Sequence, residues 1–438
     1  MLEKLFASLE KISPKKYRWI FSHDGVRRYF SNTGWMFSGQ IIYLLLSFFI
    51  GAWIARYLGP ENYGVVSYVV AFVGLFTFIS SLGVDGVIKR ELINTPERHN
   101  ELMGTGFRLK LLGASIAFFL VTVASFFFSR GSGLIQALII LFSLNFFLQV
   151  PFIIGNFFYA RVKAKRAIQA QLSAAIISSI LKVVLIFSGE GIIWLILIYV
   201  LDAIWQALFL IYFYHRENFH ISSWRFNKLL ASSIWRDSWP LMLSAAAGYI
   251  YLRIDQVMVG QIMGEHAVGI YAAGVKLTEV FYFIPGVICG SLFTAIVNAK
   301  KTNSKIYFGR LKNLYFLLFG LALLVAVPIS LLAKPIISLV FGASYLASAS
   351  VLQLYIWSSL GLFVGTGVGH QLMAENRTKT IFWLNFGTMI LNVGLNILLI
   401  PKIGLIGAAL ATLISYIVSP LWLVAIGWKT GKREYRID

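Results

Sequence analysis

Lys182, Asp202, Arg253, Asp255, Lys276 and Glu279 are charged residues set inside long apolar runs. A charge at the centre of a membrane helix costs about 2.5–3.5 kcal/mol on insertion scales, so each must face protein, water or a partner. Cations held at such depth can bind an anion, and carboxylates there can take up and release a proton. Arg253 lies about three helical turns before Gly264 and Lys276 about three turns after it, which puts the charges flanking that glycine at similar depth. Lys276 and Glu279, three apart, share a helix face. Arg253 and Asp255, two apart, point to nearly opposite sides, so at least one must find its partner on another helix. These charges could line a hydrated cationic cleft, with Arg253, Lys276 and Lys182 holding substrate and Asp255, Glu279 or Asp202 coupling an ion. They could equally staple neighbouring helices as ion pairs, and the sequence leaves both readings open.

Other chemistry finds little support. Gly59 and Gly64 have the glycine spacing of a phosphate loop, but Val65 and Val66 stand where Lys and Ser/Thr are required. His215, His220, His266 and His370 show no ligand spacing. The single cysteine, Cys289, allows no intrachain disulfide and reads as a small core residue. The loops between apolar runs are all too short for a catalytic domain. Neither an enzyme nor a bound cofactor is expected. Asp85, Lys89 and Arg90 close the second apolar run, where they could form the mouth of a cleft or serve as ordinary basic flanks.

The elements that must carry these residues follow from composition. Hydrophobic residues make up 58% of 438 and charged residues 13%, against about 25% charged in a soluble domain. Lipid must supply the missing solvent. About 20 apolar residues cross a bilayer as a helix, and twelve such runs occur, at roughly 35–58, 65–87, 109–128, 134–158, 168–188, 191–213, 239–262, 267–297, 312–333, 349–373, 380–400 and 403–427. They are too long and too uniformly apolar for barrel strands. The predicted fold is an all-α polytopic membrane protein. Met1 to Ile12 places Leu2, Leu5, Phe6, Leu9 and Ile12 at helical spacing, as in a helix lying on the membrane surface; a frayed basic tail is the alternative.

Orientation follows from the basic residues. With the N-terminus in the cytoplasm, 31 Lys and Arg lie on the cytoplasmic side, while Arg56, Arg130, Lys334 and Lys402 lie opposite and Lys182, Arg253 and Lys276 fall within spans. Both termini are then cytoplasmic. The net charge of +20 is a topology signal. Nucleic-acid binding would need that charge gathered in one soluble domain.

The chain also looks duplicated. Leu58-Gly59-Pro60-Glu61-Asn62-Tyr63-Gly64 and Met263-Gly264-Glu265-His266-Ala267-Val268-Gly269 match, as do Arg166 with Arg377 and the glycine turns at Gly189–Gly191 and Pro401–Gly404, all at a nearly common offset. Six helices per copy predict parallel repeats related by an axis along the membrane normal, with a central cleft between them. Residues 34–215 form the first lobe and 239–428 the second. They are joined by a loop over 216–238 and flanked by basic segments 1–33 and 429–438. At the offset that aligns Gly59 with Gly264, the four charges of the seventh and eighth runs meet Phe48, Ile50, Ala71 and Gly74, so the repeat itself does not demand charge there. Pro285 falls mid-run, where it would kink a helix, and Gly361, Gly365 and Gly369 repeat a close-packing spacing with Gly367 between. Pro285, Gly365 and Gly367 are the candidate hinge.

Asn32-x-x-Trp35, the run Ile54-Ala55-Arg56-Tyr57-Leu58-Gly59-Pro60-Glu61-Asn62-Tyr63-Gly64, Asp255-Gln256 with Gly260, and Asn392-x-x-x-Asn396-Ile397-Leu398-Leu399-Ile400-Pro401-Lys402-Ile403-Gly404 resemble the O-antigen-type polysaccharide flippases of the multidrug/oligosaccharidyl-lipid/polysaccharide exporter superfamily. The likeness runs over nearly the whole chain. It implies two six-helix lobes working by alternating access in a bacterial cytoplasmic membrane. The implied cargo is an undecaprenyl-pyrophosphate-linked oligosaccharide repeat for O-antigen or another surface polysaccharide, driven by an H+ or Na+ gradient. Implied partners are membrane lipids and the polymerase and chain-length proteins of the same pathway. A multidrug exporter of the superfamily, or a membrane-embedded polymerase or ligase, is the alternative.

Overall fold

The computed structural model describes residues 24–129 and 131–434. The amphipathic segment predicted for Met1 to Ile12 lies outside the described residues, as does Arg130. Among the described residues all regular structure is helical. In lipid a helix satisfies its own backbone polar groups, which uniformly apolar runs of this length require. In chain order the helices are α1 Asp24–Gly74, α2 Thr77–Ser81, α3 Val84–Asn94, α4 His99–Phe128, α5 Gly133–Ser143, α6 Asn145–Leu148, α7 Ile153–Ala160, α8 Ala164–Ser188, α9 Ile192–Arg216, α10 Lys228–Met263, α11 Glu265–Glu279, α12 Phe283–Thr302, α13 Ser304–Leu331, α14 Ala333–Val340, α15 Ser348–Tyr355, α16 Ser358–Ala374 and α17 Thr378–Glu434.

Nine helical stretches among the described residues are long and apolar enough to cross a bilayer. Two of them, Asn32–Gly74 and Lys379–Leu421, are 43 residues each and are broken at Gly59 and at Ile403–Gly404, so each covers two predicted runs. The remaining run, 239–262, lies in α10, whose serines, glycines and charges make it less apolar. Every predicted run lies mainly in helix, several of them interrupted by short breaks.

The breaks repeat. Gly59 and Gly264 both turn the chain with positive φ (71° and 91°), as do Val162 and Asn376 further on (58° and 57°). α1 gives way to α2 at Leu75–Phe76, and α11 gives way to α12 at Val280–Tyr282, the matching place in the second half. Pro285 falls just after the second of these breaks, which spans its i−4 position, where a proline interrupts a helix. It sits in the first turn of α12, where its missing N–H costs little, and the matching break in the first half has no proline.

Packing differs between the two ends of the bundle. At the end carrying the Gly59 and Gly264 turns, here the far end, two apolar cores each draw on both halves of the chain. One joins Ile54, Tyr68 and Phe72 to Val257, Val268 and Tyr271; the other joins Ala52 and Ala55 to Ile270, Ile337 and Tyr345. At the opposite, basic end the cores are separate. Ile88, Leu102, Phe157 and Tyr214 make one, capped by Ile234 at the start of α10. Cys289, Leu314, Leu318 and Phe363 make another wholly within the second half. Near the chain's end, buried Asn392 and Asn396 hydrogen-bond each other at 3.0 Å, and Asn392 donates to Thr412 at 3.4 Å. This polar contact joins the two arms of α17 where neither meets water.

Candidate functional site

The charges on α10 and α11 lie where the two halves face each other. A methyl on Gly51 would sit 3.9 Å from Lys276 Cε, and one on Gly74 would sit 3.8 Å from Arg253 Cγ. First-half glycines thus make room for second-half cations. Arg253 donates to Glu279 at 3.1 Å, and their side chains remain 35% and 21% exposed. α1 covers them on one side, where the two halves face each other.

Helical spacing predicts that Lys276 shares a face with Glu279, but Glu279 gives its carboxylate to Arg253 instead. Lys276 is half-buried and makes no ion pair within 4 Å among the described residues. Lys182 comes to the same space from α8. Its ammonium lies 4.4 Å from the Tyr199 ring centroid, close enough to Asp202 and Lys276 to feel both charges. Asp202 accepts a hydrogen bond from Ser178 at 2.7 Å. Three cations and two carboxylates therefore gather where the halves meet, and Lys276, near enough to Glu279 to feel its charge, is in no ion pair among the described residues.

Asp255 takes no part in that space. It is 1% exposed, accepts from Tyr271 Oη at 2.6 Å and takes the Gln256 N–H at 2.8 Å. The two-residue spacing that sends Arg253 and Asp255 to opposite faces seals the carboxylate inside the α10–α11 contact.

At the basic end the three predicted mouth residues separate. Arg90 donates to Asp237 at 2.6 Å, tying α3 to the start of α10. Lys89 is exposed. Asp85 points into the first half, where its Oδ1 accepts from Lys110 at 2.9 Å and from Asn156 at 2.7 Å. Lys110 reads in the sequence as a basic flank, yet it is only 8% exposed. The available signal is its place just inside one apolar run, with an acid, Asp85, closing the run before it. Of the hinge candidates, Gly367 lies tight against Leu318 and Tyr315, which serves close packing of α16, whereas a methyl on Gly365 would make only an ordinary 3.9 Å contact with Pro420.

The far end is closed by paired contacts. Arg56 donates to the Ser338 carbonyl at 3.4 Å, and its repeat counterpart Gln261 donates to the Phe128 carbonyl at 2.7 Å. Tyr345 Oη donates to the Ala55 carbonyl at 2.7 Å. Each crosses from one half to the other.

Comparison with known proteins agrees with this architecture. The model of the family described as polysaccharide biosynthesis protein matches residues 30–299. The chain is similar to the capsular polysaccharide biosynthesis protein CapF of Staphylococcus aureus, at 22% identity over 89% of this chain and 96% of that protein. In fold it is similar to a multidrug resistance MATE family transporter of the MOP superfamily in an inward-facing conformation, with TM-score 0.75, 17% identity and coverage of 90% and 96%. It is also similar to the lipid II flippase MurJ, with TM-score 0.68, 18% identity and coverage of 89% and 86%.

Proposed function

The chain belongs to the polysaccharide biosynthesis protein family, and from that premise we propose that it is a flippase, carrying a polyprenyl-pyrophosphate-linked oligosaccharide from the inner to the outer leaflet of the bacterial cytoplasmic membrane. The observation that carries this reading is the excess of cations between the halves, with Lys276 half-buried and outside any ion pair among the described residues. An unpaired charge held there is costly unless a ligand of opposite sign completes it. A pyrophosphate is such a ligand. A pyrophosphate and its sugars cannot cross hydrocarbon unaided, because each unsatisfied polar group costs several kcal/mol there. A cationic cleft carries the headgroup while the polyprenyl tail stays in lipid.

The merged cores at the far end and separate cores at the basic end support an inward-open state. The basic loops at that end support a cytoplasmic location for it. In this reading the pyrophosphate engages Lys276 and competes with Glu279 for Arg253. Glu279, so released, is the acid this reading assigns to ion coupling.

Depleting the protein from its cells tests the proposal. Lipid-linked repeat should accumulate, protected from reagents outside the cell, and surface polysaccharide should fall. Unchanged carrier lipid together with new sensitivity to cationic drugs would replace this reading with a multidrug exporter.

A further inference from the structure

A cavity of about 330 Å³ lies toward the basic end, lined among others by Thr77, Asp85, Lys110, Gln149, Asn156 and Tyr249, the last of them four residues before Arg253 on α10. That volume falls at the lower end of the roughly 300–1,000 Å³ typical of small-molecule sites. We propose that this cavity is the subsite for the lipid-proximal sugar of the transported glycan. The inference rests on the flippase reading and adds to it where the sugar, as distinct from the pyrophosphate, is recognised.

The lining has the chemistry of a carbohydrate site. Asp85 spends Oδ1 on Lys110 and Asn156, and among the described residues its Oδ2 has no protein partner, leaving a carboxylate oxygen to accept from sugar hydroxyls. Lys110, itself 8% exposed, holds that carboxylate in place. The Gln149 amide, a donor and an acceptor together, also has no side-chain partner among the described residues. Tyr249 is 40% exposed and offers a ring face and a hydroxyl, the amphipathic combination that suits a sugar's apolar and polar faces. A simple anion site would not set a carboxylate at its centre, and a drug-sized apolar cation would find too much hydrogen-bonding surface.

Position supports the same assignment. Tyr249 and Arg253 lie four residues apart on α10, so they share a face about one turn, or ~5.4 Å, apart. Thr77 follows Gly74, the residue that faces Arg253, on the same segment of the first half. A pyrophosphate held at Arg253 and Lys276 would therefore present its first sugar to this cavity.

The test measures binding to the full-length protein in detergent with two probes. One is undecaprenyl pyrophosphate; the other is the lipid-linked saccharide extracted from cells depleted of the chain. The wild type should bind the saccharide-bearing lipid at least about tenfold tighter. Gln149→Ala and, separately, Tyr249→Ala should reduce that preference about tenfold, the scale of one or two hydrogen bonds, while Lys276→Ala should weaken both lipids equally. An undiminished preference in both folded cavity variants would overturn the subsite and leave the flippase reading standing. Failure of the wild type to bind either lipid would overturn the flippase reading itself.

Discussion

Gly64 and Gly269, counterparts in the two repeats, press against each other's helix at the far end of the molecule. A side chain on Gly64 would collide with the Glu265 carbonyl, and one on Gly269 would collide with the Pro60 carbonyl. Glu265 is itself the repeat counterpart of Pro60. Backbone thus meets backbone across a pseudo-two-fold axis, and neither side can yield by moving a flexible side chain. Overpacking typically costs about 1–3 kcal/mol. Gly64→Ala should lower the melting temperature in detergent and open the far end, so that a Lys276→Cys reporter becomes labelled from outside the cell. A wild-type melt with no outside labelling would show that the contact does not hold the far end shut.

Arg253 and Glu279 are expected to be unequal partners. Well-expressed Arg253→Ala should lower transport at least about tenfold, because it removes the proposed pyrophosphate contact and leaves Glu279 without its cation. Glu279→Gln should instead keep substrate binding and lose the dependence of transport on the ion gradient. Full transport by folded Arg253→Ala, measured as outer-leaflet lipid-linked saccharide, would sink the assignment.

Tyr271→Phe tests whether Asp255 is structural. Removing the hydroxyl leaves a buried carboxylate short of a donor, which should cost about 1–3 kcal/mol of stability. Transport per folded molecule should stay near wild type. A normal melt with altered ion dependence would instead give Asp255 a coupling role.

The loop side of the basic end carries a pH-sensitive tie. Glu217 accepts from Lys163 and lies 3.5 Å from Arg166. The Lys163 hydrogen bond, outweighing the opposing effect of burial, holds its carboxyl below the ordinary value of 4.5. A depressed carboxylate contributes stability that is fully present above that ordinary value and lost as pH falls through the folded one. Glu217→Gln should therefore cost up to about 1 kcal/mol at neutral pH. The wild type and the variant should converge in melting temperature as pH falls below 4.5. A difference that persisted in acid would assign the effect to packing.

Much of the site is legible without the fold. The depth of Arg253 and Lys276 follows from their distances to Gly264, and the opposite facing of Arg253 and Asp255 follows from helical spacing. The partner of Glu279 does not follow, because Lys276 at i−3 and Arg253 on the preceding helix compete for it. Only the crossing of α10 and α11 decides between them. Lys110 escapes a linear reading for a related reason: a lysine just inside an apolar run looks like a flank until Asp85 is placed against it.

The sequence by itself determined the membrane-spanning helices, the asymmetry of basic charge and the internal repeat. Each is a property of composition or period along the chain, and lipid enforces it locally. The tertiary structure decided which charges pair and which are sealed, which glycines touch, and which end is closed. Asp85 reaches Asn156 across 71 residues, and Arg56 reaches Ser338 across 282. Such contacts depend on how helices rotate and cross, and no local pattern encodes those angles.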